Sequence, residues 1–535
     1  VKGYLKLKLI KVIGLAILSL ILTVQIAISQ TEKSLEPEIT VGIIQRLGEN
    51  PDTKLTISGT ENNLLTVKLP GTSNEVKTIS APQIILEVKN KPITNPILSE
   101  ILVLSDQGTF ETAEDSAKKW EKLGIKVEIT QPNRWQVWAK RDVYQTPLLR
   151  RLLLQSLQNQ GYTDPYLETK LLTEITQISL NINEETYQVE NLEISSPNNL
   201  LRVTENEQLT TLYGGSLILQ PNSYHNFTLV NKVPLETYLR GVVPHEIGPN
   251  APTEAVKAQT IIARTYALRN LRRFQADNYQ LCANTHCQVY KGLNGTTPGS
   301  DNAITATKGQ VLTYENQLVD ALYYSTSGGV TSFFNDIWNG ENRPYLKSVI
   351  DSPTNVWDLQ TNPLTEEENL KNFINLKQGF NETGRSVFRW NRPSNIEDLS
   401  ADLRHYLERI KHPFANFNLI QNMKVTERSP SGRILTMQVE TDLGLVELHK
   451  NEVRSAFTPP ISTLFYLEPI LDQNQKLTGY TFIGGGFGHG VGLSQFGSYN
   501  LANLGWNSEK ILKFYYPGTT IKPLDNSIIF AQESQ

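Results

Sequence analysis

The segment PTEAVKAQTIIARTYALRNLRR, residues 252–273, is the clearest helix in the chain. Pro252 stands at its first turn. Glu254 suits the positive N-terminal end, and Arg269, Arg272 and Arg273 suit the negative C-terminal end. Ala255, Ala258, Ile262 and Thr265 line one stripe, flanked by Ile261 and Leu268. Gln259 and Arg264 fall among these small residues, where nothing requires contact with water. Just upstream, GVVPHEIGP (241–249) sets one carboxylate, Glu246, between two prolines and behind an apolar run. The sequence suggests one helix ending at Pro244 and the next beginning after Pro252.

A single core rarely grows beyond about 250–300 residues. A chain of 535 residues therefore predicts two or more domains. The net charge of −4 and the absence of a long basic stripe argue against nucleic acid as a partner. Two cysteines exclude a disulfide scaffold, so the apolar core must hold the fold. Residues 1–30 differ from the rest. Lys2, Lys6, Lys8 and Lys11 precede an apolar run from Val12 to about Ile28, followed by the small residues Ala27 and Ser29. That pattern predicts a signal peptide or an N-terminal anchor, with export to the periplasm or cell envelope and membrane contact only through this segment.

Residues 31–97 read as a β-rich segment. Residues 98–176 read as strand–helix–strand–strand–helix, with Thr112 as the cap of the first helix and Pro147 opening the second. In order and length this small α+β module resembles SPOR modules, which bind glycan strands stripped of peptides. Residues 178–525 form the remaining domain, with a polar, helix-rich stretch at 355–420 as an insertion or flap. SGRILTMQVE and GLVELH alternate as a hairpin.

Six blocks occur in order: VPLETYLRGVVPHEI, AVKAQTIIARTYAL, CQVYKG, STSGGVTS, GFGHGVGLSQFG and YYPGT. Together they resemble the SpoIID domain, shared by sporulation proteins and the amidase enhancer LytB, over about residues 200–522. The resemblance implies a multi-domain α+β chain with a mixed, β-rich SpoIID catalytic domain. It implies peptidoglycan glycan strands as the substrate and a lytic transglycosylase activity. The LytB branch implies an alternative, a cell-wall-binding modifier of an N-acetylmuramoyl-L-alanine amidase. Glu246 matches the position of the family's catalytic glutamate.

The residues themselves suit that chemistry. A carboxylic acid raised to a pKa of about 6–7 by burial can protonate a glycosidic oxygen. Val242, Val243 and Ile247 beside Glu246 could supply the burial. One glutamate then serves twice, as acid and as base to the sugar's own 6-hydroxyl. The plain alternative is a carboxylate serving the N-terminus of the following helix. A true hydrolase would need a second acid, for which Asp320, Asp336 and Glu341 are the candidates.

Gln259, Arg264, Tyr324, Ser325, Ser327, Gly328, His489, Ser494 and Gln495 are the candidate substrate contacts. Trp338 is a further candidate for stacking on a sugar face. His489 is a substrate donor, a modulator of Glu246 or a structural histidine of its glycine loop. Cys282, His286 and Cys287 could be zinc ligands, although family metal sites add an upstream histidine that residues 274–281 lack. Alternatively Cys282 and Cys287 form a disulfide.

Overall fold

A computed structural model describes residues 36–70 and 75–530. The predicted export segment lies outside the described residues. From Ile39 onward the chain is one contact unit of mixed α and β structure.

Two large sheets face each other in the N-terminal half. The first has seven strands, in the order Leu281–Cys282, Glu38–Leu47, Phe227–Pro234, Ser216–Pro221, Leu192–Ser195, Leu65–Pro70 and Val76–Ala81. The second runs through Leu209–Gly214, Leu200–Glu205, Lys54–Gly59, Gln83–Gln107, Trp135–Ala139 and Val127–Thr130. Leu55, Ile57, Ile84 and Leu86 of the second sheet meet Leu65, Val67, Leu217 and Leu219 of the first in one apolar cluster. The alternation of buried and exposed residues along these strands is the period-2 signature of sheets with one wet face.

The order of elements expected for 98–176 is present, as helices Phe110–Lys122 and Pro147–Asn159 around strands 127–130 and 135–139. The first helix is capped by Thr109, not Thr112. The Thr109 hydroxyl accepts from the Thr112 N–H, and the earlier start brings Phe110 into the core. The strands that frame this segment, Gln83–Gln107 and Tyr166–Ile182, run past 98 and 176 and pair along most of their length.

The helix Thr253–Arg269 is the centre of the molecule. Every residue from Ala255 to Leu268 except Lys257 is buried, so it has no wet face. Helices Leu235–Glu246, Pro298–Ala306, Gln495–Asn503 and Ser508–Tyr515 surround it. Its alanines let these neighbours approach. Two of its threonines are satisfied locally: Thr260 and Thr265 donate to the carbonyls of Val256 and Ile261. Arg264 is wholly buried. Its Nε and Nη2 meet both oxygens of Glu236 at 2.8 and 2.7 Å, and its Nη1 donates to the Gln310 carbonyl at 3.0 Å.

The helix before it does not stop at Pro244, as the sequence suggested, but runs through to Glu246. Proline at that point removes one bond to the preceding turn, and the last turn still closes from Ile247 N–H to the Val243 carbonyl. Residues 355–420 form helices Glu367–Asn375 and Ile396–Arg409 and the strand Trp390–Asn395, which pairs with Leu477–Gly484. The two alternating segments expected to pair do so, as Ile434–Thr441 with Gly444–His449, and Ile420–Arg428 adds a third strand.

Replacing Arg264 by alanine removes the two guanidinium N–H groups that meet the part-buried Glu236 carboxylate. We expect a loss of about 3–5 kcal/mol in unfolding free energy, read from urea denaturation.

Candidate functional site

Glu246 is the last residue of its helix and is half-buried. Its Oε1 accepts from the Val289 N–H at 2.6 Å. The Tyr323 hydroxyl, which accepts from Gln288 Nε2 at 3.1 Å, is a neighbour of the carboxyl. It therefore reaches across to the 287–290 segment and does not serve the N-terminus of the following helix. Burial raises its carboxyl above the ordinary glutamate range, while the Val289 bond and the nearby Tyr323 hydroxyl pull the other way. Val242, Val243 and Ile247 are buried around the helix end.

Three phenols face the carboxyl. Tyr238 comes from the same helix, Tyr266 from the central helix and Tyr323 from the strand Tyr323–Tyr324. Burial pushes all three hydroxyls upward, so they remain protonated donors at neutral pH. The ring of Tyr266 lies edge-on to that of Tyr323, at 6.4 Å.

Cys282 and Cys287 are joined as a disulfide, with 5.6 Å between their Cα atoms. This overturns the zinc expectation: the two thiols bond each other and His286 is exposed on the loop between them. Among the described residues no cluster of three or more His, Cys, Asp or Glu could hold a metal. The physical reason is the missing fourth ligand, since a closed zinc site wants four. The disulfide instead fixes the start of the segment that carries Gln288 and Val289.

The glycine-rich loop arrives from the far end of the chain. Strand Leu493–Ser494 pairs in parallel with Tyr323–Tyr324, setting Tyr323 opposite Leu493 and Tyr324 opposite Ser494. Gly492 has a positive φ of 85°, and a Cβ there would fall on the Leu322 carbonyl oxygen, so only glycine lets the strands meet. One residue past the strand, Gln495 Nε2 donates to the Glu246 backbone carbonyl at 2.9 Å and lies 3.5 Å from Gln259 Oε1. The Gln259 Nε2 is buried without a partner among the described residues. Tyr499 donates to the Ile247 carbonyl. Gln259 and Gln495 are thus brought to Glu246.

The other candidates lie elsewhere in the joint. Tyr324 points to the opposite side of its strand from Tyr323, with its ring 5.3 Å from His489. His489 is wedged between Tyr324 and Trp338, and its Nδ1 accepts from the Val491 N–H at 3.1 Å. Burial, with Arg454 and Arg433 nearby, drives its imidazole down to about 3, so it is neutral. Ser325 offers its carbonyl to the Phe496 N–H. Ser327 and Gly328 are buried in a turn whose N–H groups both donate to Glu382. Ser494 Oγ donates to the same carboxyl at 2.5 Å and also caps the helix Gln495–Asn503. Arg264 is engaged in its ion pair. Asp320 is held between Arg269 and Arg343, which bring it down to about 2. Asp336 accepts from Ser431, and Glu341 is on an exposed turn. None of the three acids weighed for a hydrolase is placed as a partner of Glu246.

Sequence reading missed two groups. Tyr323, Gln288 and Val289 flank residues that it singled out, and only strand direction distinguishes Tyr323 from Tyr324. The buried pair Asp351 and Glu382 carried no motif. Asp351 accepts from Tyr515, Asn381 and Ser327 at 2.8, 2.8 and 2.9 Å. A cleft of about 2010 Å³ lies between helix 110–122 and residues 333–343 and 427–455, and no residue bonded to Glu246 lines it.

Residues 223–314 match the family described as Stage II sporulation protein, and residues 332–492 match a domain of unknown function. The amidase enhancer of Bacillus subtilis (strain 168) is 28% identical over 308 residues, 53% of this chain and 40% of that protein. Stage II sporulation protein D of Bacillus amyloliquefaciens is 28% identical over 316 residues, 56% of this chain and 76% of the relative. Its namesake in Bacillus subtilis (strain 168) is 28% identical over 311 residues, 55% of this chain and 76% of the relative. The chain thus spans less than half of the amidase enhancer's length.

Two outcomes check this geometry. Thiol titration of the unreduced, denatured protein should find no free cysteine, and two after reduction. Burial and the Asp351 carboxyl hold Glu382 above its usual range, so the folded chain keeps a proton that unfolded glutamate loses above about pH 4.3. Stability from this group is therefore full below that pH and falls as pH rises through the folded midpoint. Glu382→Gln should flatten that fall in melting temperature.

Proposed function

Because this chain belongs to the SpoIID/LytB family, we propose that it is a lytic transglycosylase of peptidoglycan, exported to the periplasm or cell envelope. The observation that carries the reading is the setting of Glu246: one carboxyl, half-buried among phenols, raised by burial and held by the Val289 N–H. In its protonated form it delivers a proton to the oxygen of the glycosidic bond as the bond from that oxygen to the anomeric carbon breaks. As carboxylate it then takes the proton from the sugar's 6-hydroxyl, whose oxygen closes on the anomeric carbon. The products are a new 4-hydroxyl end and a 1,6-anhydro end, and no water is consumed.

Gln495, which bonds the backbone carbonyl of Glu246 and is backed by Gln259, is a neutral amide of the kind suited to hydroxyl and acetamido groups of the glycan. Ser325 is the half-exposed member of the STSGG turn, and its neighbours Ser327 and Gly328 shape that turn from within. In this reading the small module at 98–176 is a second grip on the same polymer. A second reading, favoured by the similarity to a protein named an amidase enhancer, is a wall-binding modifier of an amidase that cuts nothing.

Glu246→Gln separates the two. On peptide-free glycan, mass spectrometry should show anhydro ends released at least about 10²-fold more slowly than by wild type. Equal release by the variant removes the enzyme reading. Amidase stimulation by a wild type that yields no anhydro ends supports the second.

A further inference from the structure

One guanidinium beside the helix that holds Glu246 has no acid to meet. Arg385 is exposed, and among the described residues its side chain makes no ion pair and donates no hydrogen bond. Its contacts are with two rings. The guanidinium carbon stands 4.3 Å from the centroid of Phe496 and 5.5 Å from that of Tyr499. Those rings lie 5.3 Å apart on the helix Gln495–Asn503, three residues apart and so on one face. The same face reaches the acid. Gln495 Nε2 donates to the Glu246 carbonyl at 2.9 Å, and the Tyr499 hydroxyl donates to the next carbonyl, that of Ile247. Tyr499 thus spans from the backbone beside Glu246 to the guanidinium over its ring. The turn that presents Arg385 is anchored from below. Glu382 is completely buried and accepts from the Ser494 hydroxyl at 2.5 Å, and Asn381 Oδ1 accepts from Asn500 Nδ2 at 2.9 Å. Gly384, with a φ of 83°, makes the bend, and the Arg385 N–H closes it on the Glu382 carbonyl at 3.0 Å. The carboxyls of this joint, Glu382 and Asp351, are buried and engaged within it.

We propose that Arg385, stacked on Phe496 and Tyr499, is a specificity-determining residue that takes a carboxylate carried by the glycan, the free lactyl carboxylate of a muramyl unit. A guanidinium lying on a ring is held flat and keeps its N–H edge open to a planar anion. It meets a carboxylate through two parallel N–H···O bonds. Of the two sugars that alternate in wall glycan, only the muramyl unit carries a carboxyl, on its lactyl ether. A stem peptide turns that carboxyl into an amide, which removes the charge and adds bulk. Arg385 therefore favours a strand whose muramyl unit is bare at this position over one that carries a peptide there. The inference rests on the reading of Glu246 as an acid acting on glycan, and it names the group that the neighbouring surface selects. Arg385 belongs to the stretch 355–420, outside the six sequence blocks and outside the residues 223–314 matched by the sporulation family. The stretch that reads as an insertion thus supplies the charge that the motif-bearing helix lacks.

The test is a binding titration and needs no turnover. In a Glu246→Gln background, calorimetry compares a peptide-free glycan oligomer with the same oligomer whose lactyl carboxyls have been converted to methylamides. The parent should bind the free-carboxyl strand about tenfold more tightly than the methylamide strand. Arg385→Gln should lose that preference by weakening only the first affinity. Arg385→Lys keeps the charge but not the fork, and should recover part of it. The methylamide strand is the control for folding, because a damaged protein loses both strands alike. Should the glutamine variant fail to fold, the weakened preference of Arg385→Lys decides. Equal binding of the two strands by the parent, or none, overturns the proposal, and so does a preference that survives both substitutions. A peptide-bearing strand held as tightly as the free-carboxyl strand also overturns it. A wild type that releases no anhydro ends defeats the functional reading, while the titration still decides the carboxylate site.

Discussion

A guanidinium without access to water sits at the middle of this molecule. Arg264 has no exposed surface, and its charge is tolerable only because Glu236 meets it edge to edge and the Gln310 carbonyl takes a further N–H. The consequence is geometric. Glu236 is in the first turn of the helix that ends at Glu246, ten residues later. A helix advances about 1.5 Å per residue. Once the planar pair fixes the near end of that helix against the central one, the position of Glu246 follows within the tolerance of a rigid rod. A buried ion pair is weak support for stability in general, but here its directionality sets where the acid stands.

The opposite wall depends on a second buried polar joint. Glu382 gathers the N–H groups of Ser327 and Gly328 and the hydroxyl of Ser494, while Asp351 beside it takes Ser327, Asn381 and Tyr515. This links the STSGG turn, the glycine-rich loop and the polar segment 355–420 at one place. The turn follows Tyr323–Tyr324, and Ser494 precedes Gln495. Their relative register decides whether the Tyr323 hydroxyl and the Gln495 amide both arrive at Glu246. The stretch that reads as an insertion thus contributes a carboxyl to the foundation of the site.

Much of this was legible in the sequence because the relevant signals are local. The central helix announced itself through proline, acidic and basic ends and a small-residue stripe. The glycine cluster announced close backbone approach, and the six blocks marked the wall-processing family. What was not legible depends on partners far along the chain. Alternation says that Tyr323 and Tyr324 face opposite ways, but only the pairing with Leu493–Ser494 says which faces the acid. Gln259 and Arg264 looked alike as polar residues among alanines. One turns to Gln495 from beyond residue 490 and the other to Glu236, and no spacing rule distinguishes those fates. The cysteine pair left zinc and disulfide level, because four intervening residues suit either. The first helix start was misplaced from Thr109 to Thr112 because both threonines can cap, and the burial of Phe110 decides between them.

A single carboxyl asked to give and then take a proton faces opposing demands. As an acid it should not be much stronger than its surroundings require, and as a base it should not be left so dry that its ionised form is prohibitive. The two demands are met by opposition: burial lifts the pKa of Glu246, and the Val289 N–H, with Tyr323 nearby, restrains the lift. The surrounding groups matter as much for what they cannot do. The phenols are pushed far above neutrality and stay protonated, His489 is held neutral, and His245 is bonded to a backbone carbonyl. Among the described residues bonded to Glu246, none competes for its proton near neutral pH. A proton that leaves this carboxyl must go to what is bound in front of it or to solvent, and that restriction is what the proposed single-acid reaction requires.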